Sequence, residues 1–154
     1  MAENKNIPTS TAADREIVSK RLVKASRETV FEAWTNPKYL ALWWGPKGAT
    51  NTFHEHDLRL TGIWRFIMHG PDGVDYPNKS VFVEISKPGK LVFDHVTLPK
   101  YQMVATFTEE SGKTLVTMKM TFKSANEFPK IKKSVIETNE QCLDRLEAQL
   151  RKIP

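Results

Sequence analysis

The stretch FPKIKKSVIETNEQCLDRLEAQLRKI, residues 128–153, decides the fold. Placed at steps of about 100° from Phe128, its residues Ile131, Val135, Ile136, Cys142, Leu143, Leu146, Leu150 and Ile153 gather in one arc of roughly 140°. Nearly every charge from Lys133 to Lys152 lies outside that arc; Lys132, in the first turns, is the exception. The pattern predicts a long amphipathic helix over residues 126–153 with one buried face. Such a face is too long for a single loop to cover, and a broad sheet is its natural partner.

The residues before it supply that sheet. Six apolar-alternating runs follow one another: Thr50 to Leu58, Gly62 to His69, Ser80 to Ile85, Leu91 to Val96, Gln102 to Thr108 and Thr114 to Phe122. Gly70-Pro71-Asp72-Gly73, Lys87-Pro88-Gly89-Lys90, Leu98-Pro99 and Glu110-Ser111-Gly112-Lys113 fall between them and carry turn chemistry. Further back, Arg15 to Lys24 reads as a first strand. Ser26 then N-caps one short helix, and Asn36-Pro37 starts a second that Gly45-Pro46 stops. The fold class is therefore α+β: a helix grip, in which a curved antiparallel sheet of six to seven strands holds a long C-terminal helix, with two short helices after the first strand. Residues 1–14, polar and rich in Asn, Thr, Ser and Ala, are expected to be a flexible tail, and residues 15–154 a single domain.

Alternation assigns the inner face. Trp64, Phe66 and Met68 share one side of their strand, and Met103 and Phe107 one side of theirs. Met118 and Met120 line up likewise, so every methionine except Met1 points inward. Methionine is flexible and lines surfaces that adapt to variable shapes, although it also fills gaps in ordinary cores. Three polar residues share these faces: Asn139 in the helix arc, His95 at the end of an apolar strand face, and Glu55 beside Phe53 and Asp57. Either they satisfy one another and the backbone, or they line a pocket and orient a ligand. With Trp44 at the entrance and Cys142 on the helix, these residues form the expected ligand-binding set.

Composition narrows the classes. The 154 residues are 40% hydrophobic and 27% charged, which suits a folded domain with a core. No apolar run approaches a membrane span, and no signal-peptide core opens the chain, so a cytoplasmic location is expected. The net charge of +5 comes from dispersed residues without an arginine-rich arm, so no nucleic-acid partner is expected. One cysteine excludes an internal disulfide and a multi-thiolate metal site. His54-Glu55-His56-Asp57 resembles a metal cluster, but alternation gives a metal at most the two histidines from one face. No metal or cofactor is expected. Catalysis would need Glu55 and His95 to meet across the cavity.

Val30-Phe31-Glu32-Ala33-Trp34-Thr35-Asn36-Pro37, Trp43-Trp44-Gly45-Pro46, Asp57-Leu58-Arg59 before Gly62, Met68 to Gly73, and Leu143-Asp144-Arg145-Leu146 together resemble a known family. It is the activator of heat-shock-protein-90 ATPase homologue, C-terminal-domain-like family, within the START and birch-pollen-allergen superfamily (SRPBCC). The resemblance spans about residues 15–152. It implies the same helix-grip fold, and a cavity of the kind that holds lipids, sterols or polyketides in that superfamily. Some superfamily members are cyclases or hydrolases. The namesake stimulates a chaperone's ATPase and carries a further N-terminal domain, where this chain has a short tail. Thr138-Asn139 stands where many relatives have Gly followed by Asn or Trp, and the Thr is expected to narrow the pocket.

Three readings follow. The first is a binding protein for a small apolar or amphipathic ligand. The second is a module for a chaperone of the heat-shock-protein-90 class, docking through an exposed patch that includes Trp43. The third is a cyclase or hydrolase using Glu55 and His95.

Overall fold

The computed structural model describes residues 12–154. Of the tail expected over residues 1–14, residues 1–11 lie outside the described residues, and Ala12–Arg15 is a single 3-10 turn. The elements then run β1 (Glu16–Val23), α1 (Arg27–Thr35), α2 (Pro37–Trp43), β2 (Thr50–His56), β3 (Ile63–His69), β4 (Asp75–Ser86), β5 (Lys90–His95), β6 (Tyr101–Glu110), β7 (Lys113–Phe122) and α3 (Phe128–Leu150). Seven antiparallel strands form one sheet in the order β1-β7-β6-β5-β4-β3-β2. From β2 to β7 each strand pairs with the next, a meander; β1, which precedes the two short helices, lies at the far edge beside β7. The α+β helix grip expected from the sequence is the fold. No helix among the described residues is long and apolar enough to cross a membrane.

The short helices start and stop where their side chains satisfy loose backbone groups. Ser26 Oγ accepts from Thr29 N at 3.2 Å. Asn36 Oδ1 accepts from Lys38 N at 3.0 Å, with Pro37 at the first helical position. Gly45 ends the run at φ +106°, and a Cβ there would stand 2.9 Å from Met68 Sδ. Only glycine serves at that position.

Two irregularities change the expected pattern. A bulge between Phe53 and Glu55 makes His56, not Glu55, the next residue to follow Phe53 inward. His56 stacks on Phe53 at 6.0 Å and meets the Trp64 ring at 6.1 Å and the Phe82 ring at 5.6 Å. Glu55 turns outward beside Arg65 at 3.8 Å. The second change lies in β4, which begins at Asp75 rather than Ser80. Pro77 in that extension faces Ile67 of β3 where β5 has already ended, the edge setting that tolerates proline.

The long helix does not lie flat on the sheet. Cys142, Leu143, Leu146 and Leu150 in its second half are buried among α1, α2 and β1. In its first half only Phe128 and Asn139 are buried, and Ile136, expected on the buried arc, is 39% exposed. Phe128 anchors the start of the helix against Phe122, ring centroids 5.5 Å apart. The first half therefore spans the sheet from Phe128 to Asn139 without filling the space beneath.

Arg145 fixes the second half. Its Nη1 donates to the carbonyl oxygens of Trp44, Gly45 and Pro46 at 3.3, 3.0 and 2.8 Å, and its Nη2 to those of Leu42 and Ala49 at 3.1 and 2.8 Å. Arg21 of β1 adds an outer tie, meeting Glu140 at 3.1 Å, Asp144 at 2.9 Å and Glu147. Arg145→Met strands the carbonyls of Leu42, Gly45 and Ala49, while those of Trp44 and Pro46 keep Asn51 Nδ2 and Ala49 N, and it is expected to cost about 3 kcal/mol, read from the urea midpoint. Arg145→Lys keeps the charge but not the planar fork, and should recover less than half of that loss. A Lys variant as stable as the parent would show that charge alone does this work.

Candidate functional site

The space under the first half of α3 is a cavity of about 610 Å³. Its floor is the inner face of the sheet: Phe66 and Met68 from β3, His95 from β5, Tyr101 and Met103 from β6, and Met118, Met120 and Phe122 from β7. Val135, Thr138, Asn139 and Cys142 form the roof, and Trp44, Gly45 and Pro46 one end. Exposed residues mark the mouth: Pro71, Asp72 and Tyr76 on one side, and Leu98, 84% exposed, on the other. Tyr76 Oη donates to Asp72 Oδ2 at 2.6 Å, tying its side of the mouth together.

Of the thirteen residues expected to bind ligand, Trp44, Phe66, Met68, His95, Met103, Met118, Met120, Asn139 and Cys142 stand on this wall. Phe53, Trp64 and Phe107 do not. They belong to the packed aromatic core, where Trp64 lies 4.8 Å from the Phe66 ring and Phe107 lies 5.6 Å from the Trp34 ring. Glu55 is on the outer face because of the bulge, so the expected Glu55 and His95 pair is not assembled. His54 is exposed while His56 packs inward, so these two do not share a face either. Among the described residues no group of three His, Cys, Asp or Glu is placed to hold a metal ion.

Trp44 stands at the cavity as expected, and Trp43 is not exposed. Trp43 is fully buried and its Nε1 donates to Ala33 O at 2.9 Å. Trp44 is half-buried and lines the cavity, 5.5 Å from the Trp43 ring and 5.4 Å from that of Trp64. The chaperone patch that was to include Trp43 therefore loses that residue.

The polar groups of the wall are mostly spent. His95 Nδ1 donates to Pro99 O at 2.9 Å, and Nε2 meets Asn78 Oδ1 at 2.6 Å and Thr97 Oγ1 at 3.2 Å. A neutral ring with its proton on Nδ1 would pair with Asn78 turned to present its amide nitrogen; a doubly protonated ring pairs with the oxygen. The ring stacks on Tyr101 at 4.6 Å. Burial pushes the Cys142 thiol up to about 12, so it stays protonated and is a weak nucleophile. Its Sγ contacts Trp43 O at 3.8 Å.

Among the wall residues missing from the expected set are Tyr101, Phe122 and Asn78. Tyr101 extends the Met103, Ala105, Phe107 alternation by one step, but it follows the Pro99 break and the strand was begun at Gln102. Phe122 was on the inward face without being read as wall. Asn78 lies in the extension of β4 that Pro77 disguised. A hydroxyl, imidazole and carboxylate also line up at Thr52, His69 and Asp75, at 2.8 and 2.7 Å, but none of the three borders the cavity.

Burial holds His56 and His95 below the ordinary value of 6.5 by disfavouring the charged ring. As pH falls below about 6.5, the unfolded chain takes up protons that the folded chain refuses, so stability is lost on the acid side. Melting temperature is expected to fall between pH 7.5 and 5.5. In His56→Phe, which keeps a ring among Phe53, Trp64 and Phe82, the fall should be smaller. A flat profile in the parent protein would contradict the burial argument.

Solved structures share the fold. A protein from Arthrobacter aurescens superposes with a TM-score of 0.84 at 22% identity, over 94% of this chain and 91% of that one. One from Nitrosomonas europaea gives 0.83 at 21% identity, over 91% and 96%. One from Mycobacterium smegmatis gives 0.79 at 25% identity, over 90% and 91%. No curated protein sequence matches the chain. The family model described as activator of Hsp90 ATPase homolog 1-like protein matches residues 24–151, from the end of β1 through the last turn of α3, and the chain belongs to that family.

Proposed function

We propose that this protein binds a small apolar or amphipathic molecule in the cavity between its sheet and α3. The observation that carries the reading is the cavity itself. At about 610 Å³ it falls within the range of small-molecule sites, roughly 300–1,000 Å³, whereas a well-packed core of this size keeps few voids larger than a water. Its wall combines four methionines and five aromatic side chains with a few polar groups, the composition that accepts ligands of more than one shape. A role as a chaperone module has support from the family description, but no longer from Trp43.

The reading is tested by titrating fatty acids, sterols and aromatic polyketides while following the methyl signals of Met68, Met103, Met118 and Met120 by NMR. A binder is expected to shift these four while leaving methyls of the packed core, such as Val23 and Val30, in place. Val135→Trp should fill the roof side of the cavity and weaken any such binder at least about tenfold with melting temperature preserved. Shifts that survive the Trp unchanged would place the ligand elsewhere, and the absence of shifts across the library would end the proposal. An ATPase assay with a chaperone of the heat-shock-protein-90 class tests the alternative, which requires stimulation at tens of micromolar.

A further inference from the structure

The cavity wall has little polar capacity left, and what is left has a definite character. His95 uses both ring nitrogens on Pro99, Asn78 and Thr97. Asn139 is buried, and its Nδ2 donates to Ser19 Oγ at 3.2 Å and to Met120 Sδ at 3.4 Å. A thioether sulfur only accepts, so this contact fixes the amide with its nitrogen toward Met120 and leaves Oδ1 as the spare group. Both hydrogen bonds of the Asn139 side chain are made by Nδ2, and none by Oδ1. The hydroxyl of Tyr101, a residue 9% exposed on the cavity wall, makes no hydrogen bond among the described residues either. Tyr101 pairs with Phe122 on the cavity floor, two residues along β7 from the Met120 whose sulfur Asn139 contacts, so both groups face the same space. Among the buried residues of the wall, a donor on the floor and an acceptor on the roof thus remain unspent, while the other roof hydroxyls, Ser134 and Thr138, lie nearer solvent.

Formal charge is missing from the same wall. Among the described lining residues the one carboxylate is Asp72, exposed at the mouth, and no lysine or arginine borders the cavity. Arg145, the guanidinium nearest Gly45, has its donors taken by five carbonyl oxygens. A buried carboxylate would find no counter-charge here, and an unpaired buried ion is far costlier than a neutral polar group that makes its hydrogen bonds.

We infer that the cavity takes a neutral, hydroxyl-bearing apolar molecule and rejects its carboxylate counterpart, with the ligand hydroxyl accepting from Tyr101 Oη and donating to Asn139 Oδ1. The inference rests on the reading that the cavity holds a ligand, and it makes that ligand an alcohol or phenol rather than a fatty-acid anion. Tyr101→Phe keeps the ring that stacks on His95 and packs against Phe122, so it removes the hydroxyl with the wall intact.

The test uses three matched probes at pH 7: 4-butylphenol, 4-butylbenzoate and butylbenzene, with affinities from calorimetry or tryptophan fluorescence. The benzoate is expected to bind at least about a hundredfold more weakly than the phenol. Tyr101→Phe should weaken the phenol about tenfold and leave butylbenzene within about twofold. Asn139→Ala, checked for folding by its melting temperature, should repeat that contrast. Benzoate binding as tight as the phenol, or an equal effect of Tyr101→Phe on phenol and butylbenzene, overturns this inference while leaving the cavity reading in place. Binding of none of the three overturns both.

Discussion

The contact on which the rest of the structure depends is the guanidinium of Arg145 under the carbonyls of residues 42–49. The chain leaving α2 must turn through a left-handed glycine and cross to β2, and along that path its carbonyl oxygens have neither helix nor ladder to accept from. Five of them converge on one side chain of α3. A planar fork with five N–H groups is the one protein side chain that satisfies so many acceptors from a single point. The clamp joins the second half of the long helix to the segment that closes one end of the cavity.

That attachment explains why a void persists where a core would otherwise collapse. A helix packed along its whole length would drop its first half onto Met103, Met118 and Met120. Here the second half is held by Arg145 and the buried Leu143, Leu146 and Leu150, and the start is propped on Phe122 by Phe128. A stiff rod fixed at both ends bridges the concave sheet between them. Asn139 touches down midway through Ser19, on the β1 side, which tilts the contact to one edge and leaves the rest of the floor uncovered. The cavity is thus a consequence of where the helix is tied, and its walls need only be apolar and pliable to remain so.

Much of this was legible in the sequence, and the failures have local causes. Periodicity placed the long helix and the sheet of six to seven strands, because each averages over many residues, and capping and stop residues placed the two short helices. The inward methionines came from the same alternation and reached the wall as read. Glu55 failed because a single extra residue reverses every later side chain in the strand, and a bulge has no periodic signature. Ile136 failed because helical phase says which way a residue points, not how far the neighbouring surface lies. Arg145 was visible as part of Leu143-Asp144-Arg145-Leu146, yet its role depends on carbonyls about a hundred residues away, which no pattern within the helix encodes.

Family and function separate for the same reason. The features through which the sequence resembles the family, the short helices, the paired tryptophans, the turn at Gly45-Pro46 and the arginine beneath it, are those that build and tie the frame. The side chains that would discriminate one guest from another are a different set, chiefly Tyr101, the spare oxygen of Asn139 and the methionines on the cavity wall. Exchange among them leaves the helix tied and the sheet curved while changing what the hollow accepts. A frame shared across relatives at 21–25% identity is therefore compatible with a different occupant in each. For this chain the choice of occupant reduces to two unspent hydrogen-bonding groups in a space without a counter-charge.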